Sequence, residues 1–259
     1  MIEVIVFILM IAALPVYLVF RRRWKKGLNP VSDGFGVILQ WTCGMVFFVM
    51  VLKGIEYNSA YIQEGLMEMI ISVVFSSAFM IFLIYRTARH GSGPGFKRAV
   101  AWEKPQPSLA QAAVLAVALG VVFAVISSFI LTTRLVNPST PLSEALDQNQ
   151  SSVLMVVFLI LAILVAPLLE EIVFRGYFFG VIKAAWGTTA AVVVIALLFG
   201  LMHVDQYWGD WTAITLVTIL GFVMTILRSS TESVIPGVIT HYVYNGLVTV
   251  LPIVMMGYK

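Results

Sequence analysis

The sequence predicts an all-α, polytopic integral membrane protein of about eight transmembrane helices. Of its 259 residues, 60% are hydrophobic and only 11% are charged. The mean hydropathy is +0.98. Such a composition lies well outside that of soluble domains. A membrane helix needs roughly 20 mainly apolar residues, and that template fits near 2–20, 32–52, 65–85, 109–131, 153–182, 188–204, 211–227 and 235–256.

The first of these, Ile2 to Phe20, has no basic residues ahead of it and no small-residue cleavage site, and "RRRWKK" follows directly. It reads as a retained helix. Cys43 lies in the second span and is the only cysteine. It can form neither an intrachain disulfide nor a thiolate metal cluster. Helices one to four carry one clear acidic residue within a span, Glu68. The stretch 86–108, "RTARHGSGPGFKRAVAWEKPQPS", mixes glycine, proline and basic residues. It is expected to be a flexible cytoplasmic connector near anionic headgroups. It closes an N-terminal region, 1–108, of three helices and this loop; the remaining helices fill 109–259.

Lysine and arginine set the orientation. Of the 16, Lys53, Arg134 and Lys259 fall on one side, leaving 16 − 3 = 13 on the other, among them Arg21 to Lys26, the 86–104 cluster, Arg175, Lys183 and Arg228. The positive-inside rule then puts both termini outside the cell membrane. The net charge of +3 is a topology signal, and no loop interleaves aromatics with basic residues as a nucleic-acid surface would.

The second half carries ionisable groups that hydrocarbon disfavours, so each needs a reason. In "APLLEEIVFRGYFFG" (166–180), Glu171 and Arg175 are four apart and share a helix face. Glu170 is turned about 100° away and left free. Pro167 should loosen the helix just ahead of the two acids. Downstream, Phe199 and His203 are four apart, as are His241 and Asn245. Glu170 and His203 each lie about 24 Å from a turn at Trp186–Gly187 at 1.5 Å per residue, so they reach one depth. The same arithmetic does not place His241, five residues after Pro236, unless helices tilt or the 228–235 loop rises.

These three motifs, Glu170-Glu171-x-x-x-Arg175, Phe199-x-x-x-His203 and His241-x-x-x-Asn245, resemble those of the CPBP family of intramembrane proteases, which includes type II CAAX prenyl proteases and bacteriocin-processing (Abi) proteins. The resemblance covers about residues 150–250. It implies hydrolysis of peptide bonds in membrane-associated substrates, prenylated or bacteriocin-like. Glu170 would be general base to a water oriented by His203, His241 and Asn245 would stabilise the oxyanion, Arg175 would hold Glu171, and Phe199 would close the pocket. The family is also described as metallopeptidases, and Glu170, His203 and His241 form a chemically plausible zinc set. Against zinc stand the lack of HExxH and the presence of asparagine, so a metal-free site is the expectation. Two rival readings remain: a non-enzymatic immunity or scaffold protein, and a proton-coupled transporter.

Overall fold

The computed structural model describes residues 36–38, 40, 65–89, 95–132, 152–204 and 206–255. Every regular element among them is helical. In chain order they are α1 (Gly65–Arg89), α2 (Phe96–Ala99), α3 (Leu109–Thr132), α4 (Ser152–Ile160), the π-helical π1 (Leu161–Val165), α5 (Ala166–Glu170), the π-helical π2 (Glu171–Phe178), α6 (Phe179–Met202), α7 (Trp211–Thr231) and α8 (Ile235–Met255). The expected span 2–20 and most of 32–52 lie outside the described residues. Three helical runs, Leu109–Ile130, Met155–Met202 and Trp211–Thr231, are long and apolar enough to cross a membrane. This is a helical membrane protein with three spans identified in this way among the described residues.

The chain divides into two units, Met1–Phe96 and Lys97–Lys259. In the first, α1 buries Met80, Leu83 and Ile84. At its C-terminal end Arg86 donates to Gln40 Oε1, and Arg89 to the Tyr85 hydroxyl. The second unit holds every motif residue.

There, Ser108 caps α3 by accepting the Gln111 amide, 3.2 Å away. This satisfies one of the free N–H groups of the first turn. Ala112, Ala116, Gly120 and Ala124 recur every fourth residue along α3, and the three alanines are buried. Small side chains at this spacing let two helix backbones approach closely. A Cβ on Gly120 would lie 2.7 Å from Val243 Cβ and 2.8 Å from the Thr240 carbonyl of α8. Thr240 Oγ1 donates to the Ala116 carbonyl, 3.1 Å away.

The long run from α4 to α6 folds back on itself at Gly187. Its φ of 84° and ψ of 173° are non-helical; φ is in the region glycine alone enters cheaply. Phe174 and Phe199, on either side of it, have ring centroids 5.7 Å apart. A straight helix would separate them by roughly 37 Å. The hairpin expected at Trp186–Gly187 is therefore present. Asp210 then caps α7, its Oδ1 accepting the Ala213 amide.

Within the 86–108 stretch, residues 101–106 depart from the expectation of a flexible connector. Residues 101–106 are bolted onto the turn between α7 and α8. Gln106 N–H donates to the Thr231 carbonyl (2.9 Å), Val234 N–H to the Ala101 carbonyl (3.0 Å), and Ser233 Oγ to the Glu103 carbonyl (2.6 Å). The end of α7 leaves carbonyls without helical partners, and this strap satisfies one of them. Val100 is fully buried. It sits against π2, where a Cβ on Gly176 would lie 2.8 Å from its carbonyl oxygen. In the α7–α8 turn Ser233 and Val234 are buried, while Glu232 is exposed.

Gly120→Val should overpack the α3–α8 contact at a cost of about 1–3 kcal/mol. A clear fall in melting temperature in detergent is the expected outcome, and unchanged unfolding would contradict this close approach.

Candidate active site

Pro167 stands at the start of α5, directly after π1, and lacks the N–H that would continue the ladder. The helix stays continuous through the acids but widens again at Glu171, where π2 begins. Segments of this kind cluster at functional sites because they redirect side chains without ending the helix. Here they put Glu170 and Glu171 in opposite surroundings.

Glu171 is fully buried, and so is Arg175. Glu171 Oε1 accepts from Arg175 Nη1 at 2.7 Å and from His241 Nδ1 at 3.2 Å. A carboxylate oxygen can only accept, so the His241 proton on this side belongs to Nδ1. Arg175 is also held by α7: Nη2 donates to the Gly221 carbonyl and Nε to Thr225 Oγ1, both at 3.3 Å. Glu171 Oε2 rests against Gly237, where a Cβ would come within 2.5 Å of it. Glycine there leaves room for the carboxylate.

Phe199 joins the remaining groups. Arg175 Cζ sits 4.0 Å above its ring centroid, a cation–π contact. His241 meets the same ring edge-on at 5.8 Å. The Phe199 carbonyl oxygen lies 2.8 Å from His203 Nδ1. A carbonyl accepts only, so His203 carries its proton on Nδ1 and, when neutral, presents a bare Nε2. Tyr207 stacks on His203, with ring planes 13° apart and centroids 6.4 Å apart. It lies in the turn between α6 and α7, where burial, with Tyr244 and Glu170 nearby, pushes its phenol up to about 12. Tyr207 thus stays a protonated donor at physiological pH.

Glu170 differs from its neighbour. Its side chain is 31% exposed, and Oε2 lies 3.8 Å from His241 Nε2. That is beyond hydrogen-bond distance but within reach of an ion pair when the imidazole is protonated. Among the described residues, no three His, Cys, Asp or Glu side chains are grouped so as to hold a metal ion. Asn245, one turn beyond His241, donates through Nδ2 to the Ala162 carbonyl at 3.0 Å.

The structure therefore gathers Glu170, Glu171, Arg175, Phe199 and His241, with His203 against Phe199, and turns Asn245 toward π1. Two arginines need a different account from the charge tally. Arg175 lies in this network, and Arg228 is buried in the last turn of α7 with Nε on the Arg175 carbonyl. Neither is a loop cation, so the tally becomes 13 − 2 = 11 against 3, with the same sign. Gly221, Thr225 and Arg228 fall on one face of α7 at spacings of four and three. That polar stripe was the available signal for a facing helix that receives Arg175.

Fold and site define a helical membrane protein with a carboxylate–imidazole centre built from four helical stretches. Comparison with known proteins identifies the class. Residues 152–247 match the family described as type II CAAX prenyl endopeptidase Rce1-like. A curated relative, described as "Putative membrane peptidase YdiL" of Bacillus subtilis (strain 168), is 28% identical over 106 residues, covering 41% of this chain and 40% of the relative. The chain thus aligns with less than half of that relative's length. No solved structure matches. Both matches fall on the part of the chain that carries the three motifs, and both point to the membrane-peptidase class that the motifs resemble.

Removing one charge from the buried pair should be costly. Glu171→Gln leaves Arg175 without its counter-charge, at roughly 3–5 kcal/mol. Low yield or early unfolding is expected, with partial recovery when Arg175→Met is added; equal stability of Glu171→Gln and wild type would contradict the pairing.

Proposed function

We propose that this protein is an intramembrane endopeptidase that hydrolyses peptide bonds of membrane-associated substrates by glutamate-activated water. The observation that carries this reading is the division of labour between adjacent acids. Glu171 is fully buried and spends its charge on Arg175 and His241, whereas Glu170 is accessible and faces His241 Nε2. A structural pair explains Glu171; it leaves Glu170 without a reason to stand in an apolar helix.

In this reading Glu170 takes a proton from a water molecule as the water oxygen bonds to the scissile carbonyl carbon. His203 Nε2, freed by the Nδ1 contact with Phe199, accepts a hydrogen bond from that water and fixes its direction. Negative charge gathers on the carbonyl oxygen. Asn245 has two amide hydrogens, one of which is given to Ala162, and the other is available to the oxyanion together with His241 when that ring is protonated. The carbon–nitrogen bond then breaks, and Glu170 returns its proton to the leaving amine. Atoms and charge balance with no further reactant. No step in this scheme passes through a metal; the lack of an HExxH pair and the presence of asparagine support that reading.

The name of the matching family supports a prenylated C-terminal peptide as the first substrate class to test, with bacteriocin-like peptides second. The charge asymmetry supports both termini outside and a location in the cell membrane. Phe199 completes the pocket by holding His203, His241 and Arg175 around one ring.

Glu170→Gln keeps shape and removes only the base. Cleavage of a farnesylated peptide by purified protein should fall about 10²–10⁴-fold, with the melting temperature nearly unchanged and the activity of wild type insensitive to chelators. Normal turnover by Glu170→Gln would overturn the assignment, and loss after chelation that returns with zinc would replace the metal-free scheme.

A further inference from the structure

The two π-helical segments each leave a backbone carbonyl without its own helical donor. In π1, Ala166 N–H reaches back five residues to the Leu161 carbonyl. The same register would give the Ala162 carbonyl the N–H of residue 167, and residue 167 is proline. In π2, Phe179 N–H reaches back five residues to the Phe174 carbonyl. An α-helix would have given that N–H to the Arg175 carbonyl. Both orphaned carbonyls are met by side chains from facing helices. Asn245 Nδ2 of α8 lies 3.0 Å from the Ala162 oxygen, and Arg228 Nε of α7 lies 3.0 Å from the Arg175 oxygen.

We propose that Asn245 and Arg228 are positioning residues: each supplies the donor that a π-helical segment withholds from its own chain, and together they fix the register that turns Glu170 toward His241. Glu170 lies between the two segments, eight residues after Ala162 and five before Arg175. A return of either segment to α-helical bonding would shift every carbonyl partner by one residue. It would rotate Glu170 relative to α8 and draw Glu171 away from His241. Arg228 suits its task because its guanidinium is anchored over the Phe179 ring at 5.0 Å, so Nε is presented in one direction. Asn245 suits its own because a part-buried carbonyl that proline leaves without a helical N–H needs a donor from another helix. The HxxxN asparagine thereby has a task in the protein itself, whether or not its second N–H meets substrate.

The inference rests on the peptidase reading for its kinetic consequence but not for its structural one. The test is a double-mutant cycle in the full-length protein, purified in detergent. Asn245→Ala should lower the melting temperature by about 4 °C, as expected for a stranded buried acceptor. In a Pro167→Ala background residue 167 regains an N–H, and Asn245→Ala should then cost less than half that shift. For turnover of the farnesylated peptide, Arg228→Met should lower kcat about tenfold with KM unchanged, and Arg228→Lys should recover part of it. Equal costs of Asn245→Ala with Pro167 and with Ala at 167 would overturn the role of Asn245. A normal kcat for Arg228→Met, or a loss expressed only in KM, would overturn that of Arg228. Should wild type cleave nothing while the thermal cycle shows the coupling, the peptidase reading fails and the positioning inference stands.

Discussion

The second unit is organised around one buried carboxylate. Glu171 has no access to solvent, and its Oε1 is shared by Arg175 and His241. A buried ion pair recovers little more than the cost of desolvating its members. Its strength here is directional. Arg175 is fixed in turn by the Gly221 carbonyl, Thr225 and the Phe199 ring, so the charge that balances Glu171 also ties π2 to α6 and α7. His241 ties the same oxygen to α8. Moving any one of these helices breaks a contact that hydrocarbon cannot replace.

Close packing makes that arrangement possible. The small-residue stripe on α3 brings its backbone against α8, while Gly237 on α8 leaves space for Glu171. The 101–106 strap is hydrogen-bonded to the α7–α8 turn at the base of α8. These contacts hold in place the helices that bring His241 to the two glutamates. Function in this unit depends on residues whose side chains are absent as much as on those that are charged.

The adjacent glutamates illustrate how one sequence motif serves two physical ends. Glu171 points into the packed protein and is neutralised there, which makes it a brace. Glu170, one residue earlier, is half-buried beside an imidazole whose other nitrogen is already committed. The proposed role of Glu170 as base rests on this partial access to water. The histidines share one arrangement: His203 and His241 each have Nδ1 engaged, by a carbonyl and a carboxylate, and the proposed mechanism uses Nε2 of both rings.

The sequence by itself determined the helical class, the fold-back at Gly187, the pairing of Glu171 with Arg175 and the three motifs that match the protease family. Each of these follows from local spacing or composition: four residues make a helical neighbour, and an apolar run cannot be a soluble loop. It also held the α3 stripe, which is legible as Ala112, Ala116, Gly120 and Ala124 once a close helix partner is sought. Only the tertiary structure decided that the helix carrying the acids is π-helical on either side of Glu170, that Asn245 answers Pro167, and that Arg228 is a buried donor rather than a loop charge. An α-turn and a π-turn differ by the shift of one hydrogen bond, a difference too small for residue propensities to settle. What settles it is which side chain of a distant helix stands opposite the carbonyl left over.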